Sequence, residues 1–221
     1  RCWSYAEVAA EVAVLAEGYA AAGYGPGHRV ALLLENRPQH YLHWLALNRI
    51  GAAIVPLNPD YTADELAYVL GHSEAALLVA LPARAAQAAP VAAALGLALM
   101  AEGGPVPPAA RPAVSGPPDR AADCALIYTS GPTGRPKGCL LSNRYFLAWG
   151  EWYVAQDGTI SLREGQERLM TPLPTFHVNA MGNSFLGMLM AGGAQVIVDR
   201  FHPRSWWAMA VETGATCFHY L

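Results

Sequence analysis

Ten residues near the middle of the chain, Thr129-Ser130-Gly131-Pro132-Thr133-Gly134-Arg135-Pro136-Lys137-Gly138, combine the groups that a polyphosphate site requires. The three glycines permit positive φ and close backbone approach, so successive N–H groups can point at an anion. Thr129, Ser130 and Thr133 supply hydroxyl donors, and Lys137 supplies a flexible positive charge. Lys137 is the only lysine of the chain, every other basic residue being arginine. The pattern is not a Walker A loop, which places Gly directly before Lys; here Pro136 stands in that position. By residue type alone the segment fits either an anion cradle or an ordinary surface turn.

A second chemistry-bearing position is His177, just past an expected strand end, beside Pro174 and ahead of an expected helix. No His or Cys lies at metal-ligand spacing from it, so a zinc role is not indicated. The other six histidines, His28, His72 and His219 among them, read as structural. Cys2, Cys124, Cys139 and Cys217 are dispersed and form no CxxC or Cys/His cluster, which fits neither a zinc site nor a disulfide framework and suits a reducing cytoplasm.

These residues need a framework to hold them. Hydrophobic residues make up 53% of the 221 and charged residues 14%, enough for a substantial core and against overall disorder. Seventeen acidic against fourteen basic residues leave a net charge of −3, so no basic face for nucleic acid is expected. No apolar stretch reaches the roughly 18 residues of a membrane span, and the start is not a secretory signal. The chain does not begin with Met and stops within an apolar run, which reads as a fragment.

The hydrophobic pattern predicts a helix over Ser4 to Gly23 with a Ser4/Glu7 capping box, then a strand over Arg29 to Leu34. A helix from Pro38 to Ile50 and a strand from Ala52 to Pro56 follow. Thr62 and Glu65 form a second capping box, opening a helix through Leu70 that stops at Gly71, and Ala75 to Leu81 is a strand. Strands are also expected at Cys124 to Tyr128, Arg168 to Leu173 and Ala194 to Val198. Helices are expected from Ser142 or Asn143 to Ala155, from Asn179 to Ala191 and from Ser205 to Thr213. Short buried strands alternating with helices predict an α/β fold, a parallel sheet covered by helices on both faces. Residues 102–122 hold six prolines and three glycines and read as a loop or linker between an α/β portion at 1–101 and another at 123–221.

Tyr128 to Gly138 resembles the signature loop of the adenylate-forming (AMP-binding) superfamily, commonly written YTSGTTGxPKG, and differs from it only at Pro132. The resemblance extends to Gly25-Pro26-Gly27-His28-Arg29-Val30-Ala31-Leu32-Leu33-Leu34, to Gly51-Ala52-Ala53-Ile54-Val55-Pro56-Leu57-Asn58-Pro59, and to Ala63-Asp64-Glu65-Leu66-Ala67-Tyr68-Val69-Leu70. Pro172-Leu173-Pro174-Thr175-Phe176-His177 is similar to the family's next motif. In family order and over nearly the whole chain, these segments look like the N-terminal large-domain portion of an acyl-CoA synthetase.

The resemblance implies layered parallel or mixed sheets flanked by helices. It implies an acid–thiol ligase that uses ATP, Mg²⁺ and coenzyme A to activate a small-molecule carboxylic acid. In that reading Thr129, Ser130, Gly131, Thr133, Gly134 and Lys137 wrap the β- and γ-phosphates. His177 stands near the carboxylate and the α-phosphate and donates a hydrogen bond there. Asn179, Met181, Asn183 and Phe185 are acyl-tunnel candidates, although such a stripe is also what plain core looks like. Pro132 removes one hydroxyl and one backbone donor from the loop. The small C-terminal lid domain and its lysine, and the adenine and ribose motifs, are expected beyond Leu221. Cytoplasmic location is expected, and assembly as a homodimer is left open. Phe176 to Ala180 resembles carnitine- or crotonobetaine-CoA ligases. Two alternatives stand beside acyl-CoA synthesis: a carrier-protein-loading adenylation enzyme, and a nucleotide-binding or structural module without catalysis.

Overall fold

In the computed structural model, which describes residues 1–116, 118–129 and 135–220, the chain forms two compact units. One comprises residues 1–34 and 39–142, the other residues 35–38 and 143–221.

The first unit is built on α1 (Tyr5–Ala21), β1 (Arg29–Leu33), α2 (Pro38–Arg49), β2 (Ala53–Pro56), α3 (Ala63–His72), β3 (Leu77–Ala80), α4 (Pro82–Ala94), β4 (Leu99–Ala101), β5 (Asp123–Thr129) and β6 (Lys137–Ser142). The sheet order is β4-β3-β1-β2-β5-β6, with parallel pairing throughout except for β6, which runs antiparallel to β5. β1, β2 and β3 are almost completely buried, as strands covered on both faces must be. On one face Ala31, Leu33, Val55, Leu78, Ala80, Leu126 and Tyr128 pack with Leu66, Val69 and Leu70 of α3 and Ala88 and Ala92 of α4. The alternate residues Val30, Leu32, Ile54, Leu77 and Val79 are buried on the other face. Both expected capping boxes exist: Ser4 Oγ accepts from Glu7 N at 3.2 Å, and Thr62 Oγ1 accepts from Glu65 N at 3.3 Å.

Three elements here lie outside the sequence-based expectation. α4 and β4 occupy residues left unassigned, because an alanine-rich segment with Pro90 inside it carries little periodic signal. β6 takes Lys137 and Gly138 out of the expected loop; its mostly exposed side chains mark it as a sheet edge, where alternation fades. α3 runs past Gly71 to His72, and the chain then turns at Glu74, whose φ is 52°.

Among the described residues of segment 102–122 there is no helix or strand, and the two compact units divide at residues 142/143. The segment is a strap on the first unit. Ala109 N donates to Ala22 O at 2.8 Å and Val114 N to Pro26 O at 2.8 Å. Arg111 reaches Gly27 O at 3.1 Å, and His28 Nε2 meets Arg111 O at 3.0 Å. Gly25 N donates to His28 Nδ1, which fixes the tautomer: Nδ1 accepts, so Nε2 carries the proton and donates to Arg111 O. After the strap the chain rejoins the same sheet, with Ala125 beside Ile54.

The second unit contains α5 (Asn143–Val154), β7 (Arg168–Thr171), a π-helix (Asn179–Leu186) continuing into α6 (Gly187–Met190), β8 (Ala194–Ile197), α7 (Trp206–Thr213) and β9 (Cys217–Phe218). Its three-stranded sheet, β8-β7-β9, is wholly parallel. The expected α-helix from Asn179 is thus a π-helix for two turns. It lies tightly against α5, where a Cβ on Gly182 would meet Trp149 at 3.1 Å and one on Gly187 would collide with the Tyr153 ring. His219 is structural, bonded through Nδ1 to Ser184 Oγ and through Nε2 to the Tyr153 hydroxyl, each at 2.8 Å.

Two buried histidines give the first unit a pH dependence. Burial lowers His40 to about 3 and His43 to about 4. The Tyr19 hydroxyl lies 2.8 Å from His43 Nδ1, while His40 Nε2 is buried without a partner among the described residues. Both rings are neutral when folded and take up protons readily when unfolded, below about pH 6.5. The unfolded state therefore binds more protons between pH 6.5 and 4, and stability falls as pH falls through that window. With two such groups the slope is expected to reach about 2.7 kcal/mol per pH unit. Urea midpoints measured across the window test this. His40→Leu, which removes a proton acceptor and an unpaired buried nitrogen, is expected to make the protein more acid-resistant at pH 5; no gain there would overturn the account.

Candidate functional site

β5 is apolar and buried from Cys124 to Tyr128 and becomes exposed at Thr129, its last residue. It runs parallel to β2, so Thr129 emerges at the carboxyl edge of the parallel strands, where open α/β sheets place their ligand crevices. β6 returns antiparallel, and its first residue, Lys137, pairs directly with Thr129. The sole lysine and a threonine hydroxyl are thereby set opposite each other at the mouth of a hairpin, both exposed. Among the described residues Lys137 forms no ion pair. Of the other residues expected to hold phosphate, Ser130, Gly131, Thr133 and Gly134 lie outside the described residues, as does Pro132.

The next register pair, Tyr128 with Gly138, explains one glycine of the motif. A Cβ on Gly138 would lie 3.0 Å from Leu126 Cδ1 and 3.2 Å from Tyr128 Cζ. Both are tighter than ordinary packing, so a side chain there would displace the Tyr128 ring. Tyr128 is 6% exposed, and burial pushes its phenol up to about 12.

His177 belongs to the second unit, between β7 and the π-helix. Its backbone N donates to Pro174 O at 3.0 Å and its carbonyl accepts from Met181 N at 3.2 Å. The ring packs against Phe176 with centroids 4.6 Å apart, and partial burial lowers its pKa below the ordinary imidazole value. Among the described residues the ring has no hydrogen-bond partner, so its nitrogens remain available to a ligand. Met181 is fully buried and belongs to the core. Asn179 and Asn183, one π-helix turn apart, each hold a buried side-chain oxygen with no partner among the described residues.

The residue that organises this loop was not singled out from sequence. Asn36, in the 35–38 segment of the second unit, engages both ends of its amide. Its Nδ2 lies 3.2 Å from Pro172 O, 3.1 Å from Leu173 O and 3.2 Å from Val198 O, and its Oδ1 accepts from Thr175 N at 2.8 Å. Thr175 Oγ1 also donates to Glu35 O at 2.8 Å. Glu35 adopts φ 57°, an uncommon conformation for a residue with a Cβ, and that turn presents Asn36. One side chain thus ties the ends of β7 and β8 to the segment that carries His177. The only sequence signal was an asparagine before Arg-Pro, which reads as a simple turn.

Among the described residues no three His, Cys, Asp or Glu side chains gather as a cation site. No helix among the described residues is long and apolar enough to cross a membrane.

Comparison with known proteins follows the same lines. The family model for "AMP-binding enzyme" matches residues 1–221. Feruloyl-CoA synthases of Amycolatopsis sp and Streptomyces sp are 36% identical over 204 residues, covering 90% of this chain and 40% of theirs. The crotonobetaine/carnitine–CoA ligase of Citrobacter koseri is 29% identical, covering 98% of this chain and 44% of its own. The solved structure of ATP-bound MatB from Rhodopseudomonas palustris superposes with a TM-score of 0.77 at 26% identity, over 95% of this chain and 42% of that one. The chain thus spans less than half the length of these relatives.

Asn36→Ala is expected to lose about 2–4 kcal/mol, since it leaves buried carbonyls and an N–H unpaired together. Asn36→Asp keeps the acceptor for Thr175 N but cannot donate to three carbonyls, and should destabilise comparably. Chemical denaturation followed by the tryptophans checks both; a loss below about 1 kcal/mol for each would show that the clamp carries little weight.

Proposed function

This chain belongs to the AMP-binding enzyme family, and from that premise we propose that the protein containing it activates a carboxylic acid with MgATP and passes the acyl group to coenzyme A. The observation that carries the proposal is the Thr129–Lys137 pair at the carboxyl edge of the parallel strands, within a motif that resembles the family's phosphate loop. Acid and MgATP are both substrates. The carboxylate oxygen attacks the α-phosphorus, the bond to the bridging oxygen breaks, and pyrophosphate leaves. An anion must approach a polyanion, so donors that absorb charge on the leaving phosphates lower the barrier. Thr129, Ser130, Gly131, Thr133, Gly134 and Lys137 are assigned that role, with Lys137 as the mobile cation. His177, whose ring nitrogens are unengaged among the described residues, is assigned to hydrogen-bond the substrate region near the reacting carboxylate. Asn179 and Asn183 are assigned to its first polar surroundings. The Mg²⁺ ion enters with the nucleotide, as part of the substrate.

The relatives indicate which acids to offer first: an aromatic propenoic acid of the feruloyl type, and a small zwitterionic acid of the carnitine type. Pyrophosphate release from the full-length protein, measured over such a panel, tests the activity itself. Lys137→Ala and Thr133→Ala are each expected to lower the adenylation rate by about 10²–10³, the scale of removing one charge-stabilising donor. Variants with undiminished rates would dismiss the loop assignment. His177→Ala is expected to lower acid-dependent turnover while ATP binding persists.

A further inference from the structure

Helix α3 touches the hairpin at both described ends of the loop. The Tyr68 hydroxyl donates to Pro136 O at 3.2 Å. The Arg135 guanidinium carbon lies 5.3 Å from the centre of the same Tyr68 ring, a cation–π arrangement. One turn on, His72 Nδ1 lies 2.7 Å from the Tyr128 hydroxyl, with the rings edge to face at 5.7 Å. Tyr68 and His72 are four residues apart, hence neighbours on one helix face, and their rings sit 5.4 Å apart. The helix is a firm base, capped by Thr62 and Glu65 and anchored in the core through Leu66, Val69 and Leu70. Tyr128 precedes the loop and Pro136 closes it, so the two contacts hold opposite strands of the hairpin. Neither contact is needed to build the sheet, whose ladder already pairs Tyr128 with Gly138 and Thr129 with Lys137.

We infer that Tyr68 and His72 are positioning residues for the loop, a polar brace that sets the height and tilt of Thr129 and Lys137 against the nucleotide. The inference rests on the phosphate-loop reading and adds to it two residues outside the motif. Lys137 has four rotatable carbons and one charge, so the strand that launches it decides where that charge can reach. Misplacing a charged group by a fraction of an ångström to an ångström costs binding and rate without unfolding anything.

The test uses the full-length enzyme. Tyr68→Phe removes one hydroxyl and leaves the ring beneath Arg135. It is expected to raise KM for ATP roughly three- to tenfold, the worth of one hydrogen bond, with KM for the acid and the melting temperature nearly unchanged. His72→Phe is expected to act in the same direction. His72→Asn, whose amide can occupy the Nδ1 position, is expected to restore ATP affinity. Calorimetric titration with ATP gives a readout independent of turnover, and a cycle of Tyr68→Leu with Arg135→Ala should show coupling at the ring. A drop in melting temperature with unaltered ATP affinity would overturn the inference and leave α3 as plain scaffold. So would unaltered values for all these variants while Lys137→Ala is defective. If Lys137→Ala is also normal, the phosphate-loop reading itself fails; the two failures are therefore distinguishable. Should Tyr68→Phe prove unstable, the contrast between His72→Phe and His72→Asn decides alone.

Discussion

The pairing of β5 against β2 is the constraint on which the first unit turns. It adds the hairpin to a sheet that is otherwise parallel and buried, and it does so in one direction only. Because β5 runs with its neighbours, its exit lies at their carboxyl edge, and the loop that follows opens there. Had β5 joined antiparallel, the same loop would sit at the opposite edge. The antiparallel return of β6 then sets register: side chains alternate in a strand, so a slip of one residue would send Lys137 to the other face and Gly138 away from Tyr128. The glycine that admits the Tyr128 ring therefore also keeps the lysine in place.

Much of this architecture was legible because it depends on local chemistry. Two capping boxes, Ser4 with Glu7 and Thr62 with Glu65, announced helix starts that the structure contains. Buried strands such as Arg29–Leu33 were visible as short apolar runs between turn residues. The failures are equally physical. α4 is largely alanine and has no stripe to read. β6 is an exposed edge whose residues satisfy the ladder without an alternating pattern. The π-helix packs Gly182 against Trp149, a tertiary contact that no local pattern shows.

The same division runs through the site. Thr129, Lys137 and His177 stood out by residue type and by resemblance to known motifs. What arranges them did not. Asn36 lies more than 130 residues before the loop it clamps, so no local pattern could connect the two. His72 read as an ordinary structural histidine, because its partner, Tyr128, is 56 residues away. Polar side chains that act by holding backbone or another side chain have no periodic signature; only the fold reveals their partners.

The two organising devices differ in kind, and the difference bears on what each can tolerate. Asn36 works by concentration: one amide meets three carbonyls and one N–H, so its substitution strands several part-buried groups at once. The α3 contacts are distributed, two hydrogen bonds and a cation–π contact placed on either side of the hairpin. Loss of one contact leaves the hairpin ladder in place, so its cost falls on the proposed placement of Lys137 and not on the fold. A concentrated clamp suits a loop whose shape must be unique, such as the turn that presents His177. A distributed brace suits the proposed role of Lys137, a flexible side chain whose reach depends on the strand that launches it.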